Sequence, residues 1–385
     1  MVKIKLCEES KCTGCGACAN ICPTKSITMV RNKYGELVPN INKETCIKCG
    51  LCTKSCHKLN QVNMLEPNKC YAAVRKNKTN IARCSSGGIA TLLMEYVVKN
   101  NWKVFSTRYD DEMRPKIIEV NNLNDIEHYK GSKYVESETG NAFSLIKKEL
   151  NAKAKVLFIG TPCQVAGLKM FLKKEYENLY CCDLFCHGVT PNSYFEDELK
   201  YLNFKDISNV SFRGWNVRED HWFIIWKNEK KVFAEPGTIN YYAKGFYENV
   251  TLRESCYNCN YSNRKRVGDL SFGDFLGLSK ELYKTLKNNC VTAILVNNNK
   301  GKQLLNIISK DIELVERPYE EAVKGGVSLR EHASKPKERK AFLDNYVELG
   351  FSKAIRKILK NNVKKAKIKR YINYIMKRLH LNKNN

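Results

Sequence analysis

Two runs of cysteine occupy the first sixty residues. Cys12, Cys15, Cys18 and Cys22 are separated by two, two and three residues, and Cys46, Cys49, Cys52 and Cys56 repeat that spacing 34 positions later. Thiolates at short repeated intervals are ligands for soft metal ions and iron–sulfur cores. Three cysteines at two-residue gaps can wrap three irons of a four-iron cube, and the fourth, three residues on, points away and reaches the other cube. One ligand set is then Cys12, Cys15, Cys18 and Cys56, and the other is Cys46, Cys49, Cys52 and Cys22. A single Cys-x2-Cys is also half a zinc site, but two complete runs of four favour iron–sulfur cubes. Gly14, Gly16 and Gly50 beside the thiols let the backbone turn tightly and present N–H groups to sulfur. The first run ends in Cys22-Pro23, the bacterial ferredoxin pattern, whereas the second ends in Cys56-His57. Position 57 is not a ligand in this scheme, so an altered turn and a shifted potential are expected there, not a lost cluster. Cys7 and Cys70 fall outside both runs and read as ordinary thiols.

A disulfide scaffold is the other use for 18 cysteines, but it suits small secreted domains. The start, Met1 to Cys7, lacks the apolar core of a signal peptide, and no run approaches the roughly 18 apolar residues of a membrane span. A soluble, cytoplasmic chain is expected. At 385 residues and 43% apolar content, it is long enough for two or three domains with a large core. Its net charge is +26, a surface that attracts nucleic acid, acidic lipid, an acidic electron carrier or a phosphorylated cofactor. Richness in Lys, Asn and Ile together, a mark of genome base composition, accounts for the charge equally well.

The elements that must position further chemistry start after the cysteine repeat. Residues 1–65 form the ferredoxin-like unit, residues 66–345 a larger unit of alternating strands and helices, and residues 346–385 a basic tail. The fold class expected is α+β: a bacterial ferredoxin-like domain with two 4Fe–4S cubes, a larger α/β domain, and a helical tail. In the larger unit, a helix is read from Ile89 to Asn100 and another from Gln164 to about Lys174. Strands are read at Val104-Phe105, Lys116–Val120, Val156–Ile159, Leu179–Phe185, Val210–Phe212, His221–Lys227, Leu270–Phe272 and Val291–Val296. Residues 351–385 carry 12 Lys or Arg and no Asp or Glu. Phe351, Ile355, Leu359, Val363, Ala366, Ile372, Ile375 and Leu379 recur there at mostly helical spacing, which predicts a basic amphipathic helix with a break near Asn361-Asn362. Such a helix suits peripheral contact with an anionic membrane, and equally suits packing on its own domain with a solvated basic face.

Two short stretches have the chemistry of cofactor contacts. Ser85-Ser86-Gly87-Gly88 opens a helix, where small residues and free N–H groups form an anion site. Gly160-Thr161-Pro162-Cys163-Gln164 lies between a strand and a helix, where α/β proteins bind ligands. Each alone is equally a turn that needs glycine. Cys256-x2-Cys259 is half a metal site, and Cys163 and Cys186 each follow a buried strand, so both could reach one place. Cys181 and Cys182 are near competitors, and all of these can also be buried apolar-like cysteines.

Taken together, Ser86-Gly87-Gly88, Gly131-Ser132-Lys133-Tyr134, Gly160-Thr161-Pro162-Cys163-Gln164, Cys186-His187-Gly188-Val189, and Cys256-x2-Cys259 followed by Arg266, Asp269 and Gly273-Asp274-Phe275 resemble the coenzyme F420 hydrogenase/dehydrogenase beta-subunit family. They occur in that family's order over about residues 70–280; the match fades after about residue 280, which bears on substrate choice. The resemblance implies an FAD-binding domain with its own 4Fe–4S cluster, passing electrons between iron–sulfur centres and a deazaflavin such as coenzyme F420 or another reducible compound. Carried over residue by residue, it implies Cys163, Cys186, Cys256 and Cys259 as ligands of a third cluster. It implies Ser86, Gly87, Gly88, Ser132, Lys133, Thr161 and Gln164 as flavin contacts. Lys133 would stabilise the reduced, anionic flavin, and His187 would donate a proton to flavin or substrate; both have bland alternatives, a solvated lysine and a structural histidine.

The expected function is an iron–sulfur flavoprotein oxidoreductase. Its partner would be a redox protein or a small reducible substrate, and an acidic redox protein would suit the +6 charge of residues 1–65. An oligomer is compatible with the sequence. A reductase in surface-polysaccharide synthesis that does not use F420 is a second reading. A basic iron–sulfur protein binding nucleic acid is a third, although no helix-turn-helix, RNA-binding or zinc-finger pattern accompanies the charge.

Overall fold

In the computed structural model, residues 6–81, 83–213, 221–286 and 290–381 are described. The N-terminal reading over Met1–Lys5, Ala82, the turn between Phe212 and His221 at residues 214–220, and the last four residues of the tail lie outside them.

The cysteine repeat is a repeat of structure. Gly16 and Gly50, 34 residues apart, both have φ of +73°, the left-handed region where a Cβ is disfavoured. Each starts a short helix, α1 (Ala17–Ile21) and α2 (Leu51–Lys54). Between them an antiparallel pair, β1 (Ile27–Arg31) and β2 (Leu37–Ile41), completes the unit.

The larger unit runs through β3 (Lys69–Arg75), α3 (Ile89–Lys99), β4 (Lys103–Tyr109), β5 (Pro115–Glu119), α4 (Ala142–Asn151), β6 (Val156–Gly160), α5 (Pro162–Leu172) and β7 (Leu179–Leu184). It continues through α6 (Asn192–Tyr201), β8 (Asn209–Arg213), β9 (His221–Lys227), β10 (Lys230–Pro236), α7 (Tyr241–Tyr247), β11 (Leu270–Asp274), α8 (Lys280–Thr285) and β12 (Thr292–Val296). Last come α9 (Asn299–Ile308), β13 (Ile312–Arg317), α10 (Tyr319–Gly325), α11 (Glu338–Leu349) and α12 (Phe351–Leu381). Eight strands form one sheet in the order β13-β3-β12-β11-β7-β6-β4-β5, and β10-β9-β8 form a separate antiparallel sheet. The inner strands β4, β6, β7 and β11 are parallel, with antiparallel strands on either side.

Every residue of β6 and β12 is buried, the pattern of strands covered on both faces. On one face, Ile159 and Phe272 pack with Leu93 of α3 and Leu304 of α9. On the other, Phe158 packs with Phe143 of α4 and Val165 and Phe171 of α5. The expected start of α5 at Gln164 is corrected to Pro162. Proline at the first helical position lacks only an N–H that would be unpaired anyway, and Thr161 and Gln164 form a capping box at that end.

The tail also differs from its expectation. α12 is unbroken through Asn361-Asn362, because Val363 stays buried and the Asn362 amide donates to Glu248 at 3.0 Å. Its first half is core: Phe351, Ala354, Ile355, Leu359 and Val363 pack with Tyr194, Phe195, Tyr242 and Phe342. Arg356 makes a two-pronged pair with Glu198, 2.8 Å at each contact. No helix among the described residues is long and apolar enough to cross a membrane.

Candidate functional site

The carboxyl ends of β6, β7 and β11 converge on a cavity of about 480 Å³, the place where ligands bind in open α/β sheets. Ser86, Gly88, Ser132, Lys133, Thr161, Gln164 and His187 all line it. Three loops are tied together at its wall. Ser132 Oγ donates to Ser85 Oγ at 2.8 Å, and Arg213 donates to the Ser85 carbonyl at 2.7 Å and to the Tyr134 hydroxyl at 3.0 Å while pairing with Asp274.

The expected contacts divide by what their side chains are doing. Ser86 Oγ is buried with no hydrogen-bond partner, and it lies beside the N-terminus of α3, an eleven-residue helix opening on the cavity. A phosphate or another polar ligand group there would satisfy it. Thr161 and Gln164 are engaged with each other: Gln164 Oε1 accepts from Thr161 N and Oγ1 at 3.0 Å each, and Gln164 Nε2 donates to Ser137 Oγ at 2.8 Å. They shape the wall through the capping box. Gly87 does not line the cavity. Its N–H donates to Thr292 Oγ1 at 2.9 Å, and a Cβ would lie 2.5 Å from the Ala73 carbonyl. Glycine is needed there for close approach to β3.

Lys133 has no carboxylate partner among the described residues. Its ammonium donates to the carbonyls of Lys130 and Gly131 at 3.1 and 3.3 Å and lies 5.5 Å from the centre of the Tyr109 ring. Burial pushes its pKa down to about 7. His187 is solvent-accessible, with its ring edge on Phe246, and partial burial lowers its pKa.

Behind the cavity lies a second, small one of about 50 Å³, lined by Cys163, Cys186, Cys256 and Cys259 together with Thr13, Glu136, Arg253 and Tyr261. The four cysteines expected to share a cluster are thus brought together. Cys181 and Cys182 are not among them. They are buried on opposite faces of the sheet, Cys181 toward α5 and Cys182 toward α3 and α9, because adjacent strand residues alternate in direction. The Cys163 thiol is pushed up to about 11 and the Cys186 thiol to about 12, by burial first and neighbouring thiolates after. Buried thiolates of this kind call for a cationic core to hold them ionised. No three His, Cys, Asp or Glu among the described residues are arranged to hold a single ion; four thiols spread round a cavity suit a core of several irons.

In the N-terminal unit, Cys12, Cys56 and Cys52 all act on Cys18 electrostatically, so the two sets lie side by side. Cys49, the one exposed cysteine among the described residues, acts on Cys52, and Cys22 Sγ is 3.6 Å from Thr24 Oγ1. Cys7 is not the isolated thiol the sequence suggested: it hydrogen-bonds both Cys12 and Cys56. Cys70 is buried in β3.

Sequence reasoning missed the groups that join the two units. Arg253, 1% exposed, donates to the carbonyls of Cys12 at 2.9 Å and Leu37 at 2.5 Å and pairs with buried Glu136. His57, also buried, contacts Thr13 Oγ1 at 2.9 Å through Nε2 and the Tyr261 hydroxyl at 2.7 Å through Nδ1. Tyr261 lies within electrostatic reach of Cys163, Cys259, Cys15 and Cys56, and so stands between the first ferredoxin set and the third. The departure from proline at position 57 was the one available signal. Arg266 and Asp269 hold strands: Arg266 pairs with Asp183 at 3.2 Å, and Asp269 accepts from the Cys181 N–H at 2.7 Å.

Comparison with known proteins gives two domain matches. Residues 153–322 match the family described as the C terminus of the coenzyme F420 hydrogenase/dehydrogenase beta subunit, and residues 11–59 match the 4Fe–4S dicluster domain. Among relatives, a polyferredoxin-like protein of Methanocaldococcus jannaschii is 37% identical over 75 residues, 17% of this chain and 45% of its own length. The coenzyme F420-dependent sulfite reductase of the same organism is 22% identical over 322 residues, 79% of this chain and 47% of its own length. An iron–sulfur subunit of its CoB–CoM heterodisulfide reductase is 37% identical over 67 residues, 14% of this chain and 10% of its own length. The chain therefore spans less than half the length of the curated relatives it matches. A chain of the F420-reducing [NiFe] hydrogenase complex from Methanosarcina barkeri aligns with a TM-score of 0.47 and 16% identity, over 79% of this chain and 92% of that one.

Proposed function

Because residues 11–59 form a 4Fe–4S dicluster domain and residues 153–322 a domain of the coenzyme F420 hydrogenase/dehydrogenase beta-subunit family, we propose that this chain is an iron–sulfur flavoprotein oxidoreductase, with FAD in the 480 Å³ cavity and a third cluster behind it. A flavin bound there would supply two-electron exchange with a substrate and one-electron exchange with iron–sulfur centres. The observation that carries this reading is a shared wall: Cys186, His187, Gly188 and Val189 line both the large cavity and the small thiol-lined one. A ligand in the first is therefore one residue thick from a metal core in the second.

Each residue has a part. Ser86 and the N-terminus of α3 would receive a phosphate. Lys133 places the cavity's one cation without a carboxylate partner, among the described residues that line it, where a negative ring edge would be held. His187, on the wall between cavities, can hold or pass a proton at its imidazole. Cys163, Cys186, Cys256 and Cys259 would ligate the third cluster. Cys12, Cys15, Cys18 and Cys56 would ligate the adjoining ferredoxin cluster, and Cys46, Cys49, Cys52 and Cys22 the outer one. Beside exposed Cys49, Ile47 is 62% exposed, with exposed Lys43 and Lys54 nearby, a surface suited to an acidic redox partner. The relative matching most of this chain is named for coenzyme F420 and sulfite, which supports a deazaflavin or another small reducible compound as substrate.

Anaerobic purification with iron, sulfide and flavin quantified tests the reading. About 12 irons, four per cube, and one flavin per chain are expected. Eight irons without flavin would reject the flavin and third-cluster assignments, and zinc in place of iron would reject all of it.

A further inference from the structure

We infer that the outer half of α12 docks the protein on an anionic lipid bilayer. This docking is independent of the cofactors proposed above. The helix is clamped in the core as far as Val363 and then continues to Leu381, about 27 Å further at ~1.5 Å per residue. Every described side chain from Lys367 to Met376 is exposed.

That exposure is not a polar helix in water. Ile368, Tyr371, Ile372, Ile375 and Met376 are between 37% and 65% exposed. At 3.6 residues per turn they fall within an arc of about 140°. Lys367 and Lys369 lie just outside its two edges, and Arg370 lies on the opposite side. Lys364 and Lys365, one turn nearer the core, carry the positive charge back toward the body of the protein. No acidic residue occurs anywhere in residues 351–385. An apolar stripe flanked on both sides by lysine matches a helix lying in a bilayer interface: the stripe enters the acyl boundary while the lysine stems reach back to anionic headgroups.

Charge selects this occupant over two others. A second copy packed along the stripe would bring Lys367 and Lys369 of both helices together with no acidic partner. Nucleic acid would take the cations but leave the isoleucines in water.

Vesicle sedimentation with the full chain tests this. The protein should pellet with vesicles of phosphatidylcholine and phosphatidylglycerol in equal parts and stay in solution with phosphatidylcholine alone. Lys367→Gln with Lys369→Gln should reduce partition about 30-fold, from the known contribution of each basic residue near an anionic surface. Ile368→Asp with Ile372→Asp should abolish pelleting, while circular dichroism and iron content stay unchanged because these side chains are outside the core. Emission from Tyr371→Trp should shift blue only with the anionic vesicles. Failure to pellet with anionic vesicles would overturn the inference, and so would pelleting that survives Ile368→Asp with Ile372→Asp. A dimer dispersed by Ile372→Asp without vesicle binding would assign the stripe to a second copy instead, and lysine-dependent binding to duplex DNA without vesicle binding would assign the charge to nucleic acid.

Discussion

Replacing Lys133 by methionine should stabilise the flavin-free protein, and by an amount that depends on pH. The ammonium is held among Tyr109 and the carbonyls of Lys130 and Gly131 with no carboxylate partner, and burial lowers its pKa from 10.5 to about 7. At about 1.4 kcal/mol per tenfold change in proton affinity, that gap bounds the penalty at roughly 5 kcal/mol. The two carbonyl contacts and the open cavity reduce it, and roughly 1–3 kcal/mol is the range for a partly compensated buried polar group. The sign follows from proton counting. Between pH 7 and 10.5 the unfolded chain binds more protons at this lysine than the folded chain, so stability rises with pH across that window. Below pH 7 the full penalty applies. The variant should therefore melt a few degrees higher than the parent at about pH 6, with the difference shrinking toward zero by about pH 10. Paired anaerobic melts of cluster-loaded, flavin-stripped protein over that range measure it. A variant less stable at the acid end, or a gain that does not change with pH, would refute the buried-ammonium argument. On the proposed reading the same substitution has the opposite effect in the flavin-loaded protein. It removes the cation that favours a reduced, anionic ring, so the flavin midpoint potential should fall and flavin should dissociate more readily on reduction. An unchanged potential would leave Lys133 with no electronic role.

Three further outcomes are expected. His57→Pro restores the pattern of the first cysteine run but leaves Thr13 and Tyr261 without their shared partner across the seam, and should destabilise the protein by about 1–3 kcal/mol; His57→Gln should recover part of this, as read by chemical denaturation. Cys186→Ser should remove about four of twelve irons, the content of one cube, whereas Cys181→Ser should leave the iron count unchanged; equal losses would place the third cluster elsewhere. Gly87→Ala drives a Cβ to within 2.5 Å of the Ala73 carbonyl and should lower the melting temperature even without ligand, which a purely ligand-contacting glycine would not do.

Spacing carried the reading where chemistry is local. The two cysteine runs are repeated in backbone conformation at Gly16 and Gly50, and apolar runs such as Val156–Ile159 and Val291–Val296 appear as fully buried strands. β3, β10 and β13 were not read. β10 and β13 carry charged residues along much of their length and are edge strands with one side open, so their alternation is weak. The cavity was legible as a set of residues but not as a set of roles. Composition cannot say that Gly87 faces a strand, or that Gln164 is consumed by a cap. Likewise nothing in residues 250–260 announces that Arg253 reaches a carbonyl 241 positions earlier. Such contacts are fixed by how the units pack, and packing is not written in any one segment.

The seam between the two units explains why position 57 departs from its repeat. Pro23 and His57 are equivalent, 34 residues apart, yet Pro23 is exposed and His57 is buried. Proline offers no side-chain donor or acceptor and suffices where the unit meets water. Where it meets the larger domain, the buried hydroxyls of Thr13 and Tyr261 need partners, and imidazole supplies one to each. Arg253 secures the same interface by taking the carbonyls of Cys12 and Leu37 and pairing with Glu136. Breaking a buried pair of that kind leaves a lone charge and costs several kcal/mol, so the ferredoxin-like unit is held in one orientation. That orientation sets Cys15 beside Cys163 and leaves Cys49 facing out. A tethered ferredoxin free to swing would need none of these contacts. Their presence argues that the proposed electron path depends on a fixed order of thiol sets, from the cavity wall at Cys186 through the first set to the exposed edge of the second.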